Sequence, residues 1–115
     1  MRMWMIDPKL LCRKHLIGEH GEIHKHRHCF EKQYSISRRV SPVVQIEPES
    51  MQSRHDALAD EMARRGYNHG SPYTAPIIEY LPERERRAKV DTAVSLIDLA
   101  ARCADCRERI KEGGR

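Results

Sequence analysis

Aromatic side chains are scarce in this chain: one Trp, one Phe and four Tyr among 115 residues. No apolar run approaches the roughly 18 residues that a membrane helix needs, so no membrane partner is expected. The start, Met1-Arg2-Met3-Trp4-Met5-Ile6 followed by Asp7-Pro8, lacks the apolar body and small-residue cleavage site of a secretory signal. Internal repeats and low-complexity tracts are missing as well. Together these absences predict a soluble cytoplasmic protein. The length leaves no room for two cores of useful size, so residues 1–115 read as a single domain. The hydrophobic content of 39% supports a small core and argues against wholesale disorder.

What is plentiful is charge. Lys and Arg number 21 against 17 Asp and Glu, a net charge of +4 with seven His uncounted. A basic balance favours an anionic partner, and nucleic acid is the first class to consider.

Four cysteines, Cys12, Cys29, Cys103 and Cys106, are expected to be reduced inside a cell. Cys12-Arg-Lys-His15 and Cys103-Ala-Asp-Cys106 together offer four ligands of the kind that tetrahedral zinc takes. The alternative is packing. Leu96, Leu99, Cys103, Cys106 and Ile110 step by 3, 4, 3 and 4, and reduced Cys packs as a small hydrophobe. A thioredoxin-like redox site is disfavoured, because no βαβ pattern surrounds the CxxC.

The periodicity predicts an all-α, compact domain of three main helices with long ordered loops. Asp7-Pro8 reads as a helix start. Leu16, Ile23 and Phe30 recur seven apart, with Cys12 and Ile17 beside them, and imply a helix over roughly 8–33. Gly18 and Gly21 inside it suggest close approach of another backbone or a ligand, since interior Gly costs about 1 kcal/mol against Ala. Residues 34–49, with Ser35, Ser37, Ser41, Pro42 and Pro48, read mainly as loop. A second helix opens at Pro48-Glu49-Ser50, carries Met51, His55, Leu58 and Met62, and ends at Gly66 after Arg64 and Arg65. Residues 67–82, with Gly70, Pro72, Pro76, Pro82, Tyr67, Tyr73 and Tyr80, form an ordered crossing loop. A third helix covers roughly 84–111, with Val90, Val94, Leu96, Ile97, Leu99 and Ile110 apolar and Asp91 capping a start after a looser turn. Residues 112–115 are expected to fray.

The segment from His15 to His26 carries the chemistry. On a helix, His15, Glu19, Glu22 and His26 share a face through steps of 4, 3 and 4, with Lys25 beside it. Two carboxylates and two imidazoles suit proton transfer or metal binding, although a solvated His-rich surface has the same composition. His20, His24 and His28 sit at i, i+4 spacing on another face, a pattern prone to adventitious Ni or Zn binding.

His15-Leu16-x-x-Glu19-x-x-Glu22, a dozen residues after a Met1-Arg2 start, resembles the pyrimidine-dimer DNA glycosylases of the T-even phage endonuclease V type. Leu58-x-x-Glu61-x-x-x-Arg65-Gly66-Tyr67-Asn68 is similar to the second helix of that family, and Ser41-Pro42 falls where it has a Ser-Pro. The likeness spans roughly residues 1–70. Short members with an Arg-Cys-x-x-Cys-Arg segment, here Arg102 to Arg107, are the most similar.

The resemblance implies a DNA repair enzyme, a glycosylase with AP-lyase activity on double-stranded damaged DNA, bacterial or phage-encoded and monomeric. Its members flip a base out of the duplex. They excise the 5′ base of a cyclobutane pyrimidine dimer through a Schiff base to the N-terminal α-amine, then cleave the backbone by β-elimination. The amine here belongs to Met1, retained because Arg2 is too bulky for usual Met removal. Glu22 matches the catalytic carboxylate. Arg2 and Lys25 fall at positions of phosphate contacts. His20 replaces an aromatic residue, where it can stack or donate. Arg38, Arg39, Arg64 and Arg65 are further candidate phosphate contacts. His15 matches a family His and is equally a candidate buried partner or zinc ligand. No cofactor is required, and structural zinc on Cys12, His15, Cys103 and Cys106 would brace the fold. The departure is Gly21, where the family has Arg immediately before the catalytic Glu. It keeps open a glycosylase for another modified base. The other alternative is a non-enzymatic helical DNA-binding module stapled by the Cys/His zinc site.

Overall fold

A computed structural model describes residues 2–67 and 72–113 of the chain; Met1, Asn68 and Gly70, named above, and residues 114 and 115 of the expected frayed end fall outside them. The N-terminal segment is non-helical to Asp7, with Met5 in the left-handed region (φ +59°); the Asp7 carboxylate accepts the Lys9 N–H at 3.0 Å and starts a 3₁₀ turn over Pro8–Leu10. The first helix, predicted from residue 8, does not continue from that turn. Cys12 is extended (φ −69°, ψ 168°), and α1 begins after it at Arg13–Glu31. Leu16, Ile23 and Phe30 are fully buried along α1, as their spacing predicts, while Ile17 faces outward.

A single helical turn, α2 (Ser37–Val40), interrupts the predicted loop. Residues 41–47 then run back beside the N-terminal segment. Met3 N–H donates to the Gln45 carbonyl at 2.8 Å, and Gln45 N–H donates to the Arg39 carbonyl at 2.7 Å. A 3₁₀ turn over Pro48–Ser50 leads into α3 (Met51–Arg64), which ends as predicted at Gly66, where φ is +82°. That left-handed position favours glycine because it has no Cβ to clash.

The predicted third helix is three helices: α4 (Glu83–Arg86), α5 (Thr92–Arg102) and α6 (Ala104–Lys111). The Asp91 carboxylate caps α5 by accepting from Ala93 and Val94 at 3.0 and 3.3 Å. The break between α5 and α6 falls at Cys103, which leaves the helical region (φ −134°, ψ 111°). Among the described residues there is no strand, so the all-α prediction holds. No helix among them is long and apolar enough to cross a membrane.

The core lies where α1 crosses α3, closed by the N-terminal segment and by α5 and α6. Met3, Leu11, Leu16, Ile23, Ile46, Leu58 and Leu99 are fully buried in it. Each contributes about 1.5–3 kcal/mol by leaving water. Val94 and Ile97, predicted as apolar helix positions, face solvent on α5, which packs chiefly against α6.

Polar side chains fasten this arrangement. The Arg54 guanidinium of α3 reaches both oxygens of Glu19 on α1, at 2.6 and 2.9 Å, and the Ile6 carbonyl at 2.6 Å. Both side chains are out of solvent. Arg54→Leu strands the Glu19 carboxylate in the core, so the variant is expected to lose about 3–5 kcal/mol of unfolding free energy. Urea denaturation measures the loss; one below about 1 kcal/mol would be that of an exposed pair and would contradict the burial.

Candidate active site and Cys/His cluster

The N-terminal segment, α1 and the 41–47 segment build one cavity of about 470 Å³, lined by Arg2 and Trp4 from the first, Lys14, His15, Gly18, Glu19 and Glu22 from α1, and Gln45. His15, Glu19 and Glu22 therefore share a face, as their spacing predicts. The two carboxylates differ in state. Glu19 is consumed by Arg54. Glu22 is half-buried, and no hydrogen bond or ion pair engages it among the described residues. A carboxylate left free in a cavity is the one available for chemistry.

His26 continues the face but is buried against Phe30. Burial first, and then the Arg39 guanidinium, push its pKa down to about 4, so the ring is neutral near pH 7. Arg38 and Arg39 line a second cavity of about 440 Å³ with Ser35, Ser37 and Gln45. Gln45 lines both cavities. Arg2 and Lys14 line the first of these cavities, and Arg38 and Arg39 the second. Arg2 pairs with Asp98 at 2.9 Å and lies 4.3 Å over the Trp4 ring. The excess of positive charge around the two cavities suits a polyanion.

Gly18 and Gly21 lie on the open side of α1. A Cβ at either would meet nothing within 4 Å, so no other backbone packs there, contrary to one of the two predicted reasons for these glycines. The space remains open to a ligand.

The other predicted contacts divide. Lys25 is exposed. Arg64 holds Glu61 at 2.5 and 2.8 Å with half its side chain in solvent. Arg65 is turned inward: it bonds Glu61 at 2.7 Å and the Leu11 and Pro8 carbonyls at 2.8 and 3.2 Å, tying the end of α3 to the first turn. His20 is buried between α1 and α3, beside His24 and His55, and not on the open face. Met1 lies outside the described residues. Trp4, Lys14 and Gln45 escaped the reading of the sequence. The lone Trp, two residues beyond Arg2, was the available signal.

The Cys/His pairs come together at the edge of the same cavity. Cys12 and Cys103 are the residues that precede α1 and α6, and His15 and Cys106 lie in the first turns of those helices. Each pair therefore straddles a helix start, where N–H groups and the positive helix end favour thiolates. Cys12 N–H donates to Cys106 Sγ at 3.3 Å, and Cys106 N–H to Cys103 Sγ at 3.4 Å. Burial opposes ionisation of Cys103, but its bonds from Cys106, Cys12 and the Asp105 N–H hold the thiol below its ordinary pKa. Burial pushes Cys106 up to about 12. His15 is lowered by burial and by Lys14 and Arg102, so its ring is neutral and able to ligate.

The four ligand atoms lie within 4.8 Å of one another. Cys12 Sγ is 3.8 Å from Cys103 Sγ and 3.2 Å from His15 Nδ1, which is 3.4 Å from Cys106 Sγ. A tetrahedral zinc with ordinary bond lengths sets sulfurs about 3.8 Å apart. The group can hold a metal ion.

No curated protein and no solved structure matches the chain. A family model described as pyrimidine dimer DNA glycosylase matches residues 1–75, which include the N-terminal segment, all of α1 and all of α3. With the larger part of its 115 residues matched, and with every cavity-lining residue inside the matched span, the chain belongs to the pyrimidine dimer DNA glycosylase family.

Proposed function

We propose that the chain excises the 5′ base of a cyclobutane pyrimidine dimer in double-stranded DNA and then cleaves the backbone, acting as a monomer. The observation that carries this reading is that Arg2, the residue after Met1 in the sequence, lines one cavity with Glu22, which is unpaired among the described residues. The α-amine of Met1 is the nucleophile. Its ordinary pKa of about 7.7–8.0 leaves a useful unprotonated fraction at neutral pH, unlike Lys. The amine lone pair attacks the sugar C1′, and the C1′–N bond breaks with its electrons on the departing base, which takes up a proton. The C1′–O4′ bond then opens as the nitrogen lone pair forms C1′=N, O4′ takes up a proton from solvent to become a hydroxyl, and a protonated imine results. The Glu22 carboxylate stabilises that positive charge and removes the C2′ proton. The C3′–O bond then breaks and the 3′ phosphate leaves.

Arg2, Lys14, Lys25, Arg38 and Arg39 hold the phosphates, giving affinity without sequence readout. The open side of α1 at Gly18 and Gly21 receives the flipped-out nucleotide. Gly21 also supports a second reading, in which another modified base is the substrate, because the side chain that precedes the catalytic carboxylate in the family is missing.

The test is a matched pair of duplexes, one with a single thymine dimer and one with an abasic site. Scission of both is expected. Scission of the abasic duplex alone would remove the dimer and leave the second reading.

Cys12, His15, Cys103 and Cys106, we infer, carry a structural zinc ion. Zinc would keep the thiols deprotonated and join the start of α1 to the start of α6. The 3.8 Å sulfur separation and the two N–H donors to sulfur support it.

A further inference from the structure

The side of α1 away from the cavity carries a second group of ligating atoms. His20 and His24 lie one turn apart, each about 200° around the helix from Glu22. His55 of α3 meets them. The three rings form a near-equilateral triangle, with centroids 4.7, 4.9 and 4.8 Å apart. One nitrogen from each ring lies within 4.8 Å of the others, and His24 Nε2 is 3.1 Å from His55 Nε2. Zinc bonded to two imidazoles at tetrahedral angles sets their nitrogens about 3.3 Å apart.

Two further observations prepare these rings for a metal. Asp56 Oδ1 is 3.0 Å from His55 Nδ1. When Nδ1–H donates there, the proton is fixed on that nitrogen and the Nε2 lone pair is left facing His24. A carboxylate behind a histidine is the usual outer partner of a metal-bound imidazole. Second, Tyr73 stacks on His55 with centroids 4.8 Å apart and meets His24 edge-on at 5.3 Å. Its hydroxyl is buried without a hydrogen-bond partner among the described residues. A buried polar group of that kind calls for an ion or a water beside it. Three ligands leave a fourth position for water.

We propose that His20, His24 and His55 form a second metal site, for zinc or another divalent ion with an affinity for imidazole. All three ligands are nitrogen, which excludes the oxygen-seeking Mg²⁺ and Ca²⁺. Two ligands come from α1 and one from α3, so the ion fastens the helix pair behind Glu22, on the far side from the DNA-facing cavity. The site needs neither the glycosylase reading nor the Cys/His zinc, because it shares no ligand with either.

Untagged full-length protein, stripped with a chelator and titrated with Zn²⁺, is weighed by native mass spectrometry. His24→Gln is expected to take up one zinc fewer per chain than the wild type, whether or not the cysteine cluster fills. His28→Gln, whose ring contacts Tyr34 instead, is expected to match the wild type. Equal uptake by the wild type and His24→Gln would overturn the proposal and leave a hydrogen-bonded imidazole cluster. Should His24→Gln misfold, the ring ¹⁵N resonances of the wild type decide. Those of His20, His24 and His55 are expected to move during the titration; movement of His15 alone would overturn the site.

Discussion

Glu22→Gln is expected to fold with an unchanged melting temperature and to lose about 10²–10⁴-fold in strand scission at an abasic site, the usual span for a positioned acid–base group. The reasoning rests on its state in the cavity. Glu22 is half-buried and holds no ion pair or hydrogen bond among the described residues, so the isosteric amide removes no contact that supports the fold. Such substitutions stay within roughly 0.5 kcal/mol. What the amide cannot do is face a protonated imine with a negative charge or take the C2′ proton. Glu19, one turn earlier and lining the same cavity, is the internal control. Its two oxygens are held by Arg54 at 2.6 and 2.9 Å. Glu19→Gln should therefore lower stability sharply, the reverse of the Glu22 result. Circular dichroism melts beside gel-resolved scission separate the two. Full scission by Glu22→Gln would remove Glu22 from the mechanism.

Removing zinc is expected to be a large perturbation of stability. At free zinc a thousandfold above its Kd, binding stabilises the native state by about 4 kcal/mol. For a domain of this size that corresponds to a fall in melting temperature on the order of 15 °C on chelation. Cys106→Ser should melt well below the wild type and lose the greater part of the response to chelator, keeping only what the separate His20, His24 and His55 group contributes. The cause is local: Cys106 is fully buried and accepts the Cys12 N–H, so its loss opens the joint between α1 and α6. Cys29→Ser is the control, because Cys29 stands outside the cluster. Melting temperatures that are unchanged by chelator in the wild type would show that these thiols only pack.

The parts of the fold that were legible are those whose signal is local. Leu16, Ile23 and Phe30 recur at helical spacing and are buried. Gly66 and Asp91 terminate and cap their helices through bonds to neighbours a few residues away. The parts that were not legible depend on partners distant in the chain. Glu19 and Glu22 are the same residue type on the same face, and only Arg54, 35 residues beyond Glu19, distinguishes them. His55 sits in a helical stripe with Met51, Leu58 and Met62 and reads as a core position; it takes His20 and His24 to give it a ligand's surroundings. Cys103 illustrates a different failure. Its spacing to Leu99 and Cys106 continues a helical stripe without a gap, yet the backbone breaks there because its sulfur caps the next helix. Periodicity records which side chains share a face and is silent about a cap that replaces one helical turn. The residue types of the cluster were readable, whereas the construction from two helix starts was not.

The central claim is a covalent bond between the N-terminal amine and the sugar. Untagged protein is incubated with a duplex carrying one abasic site in the presence of borohydride, which reduces the imine to a stable amine. Protease digestion and mass spectrometry then locate the adduct. The account predicts a single sugar adduct on the Met1 α-amine. An adduct on Lys14 or Lys25, or none from protein with a free N-terminus, would contradict it.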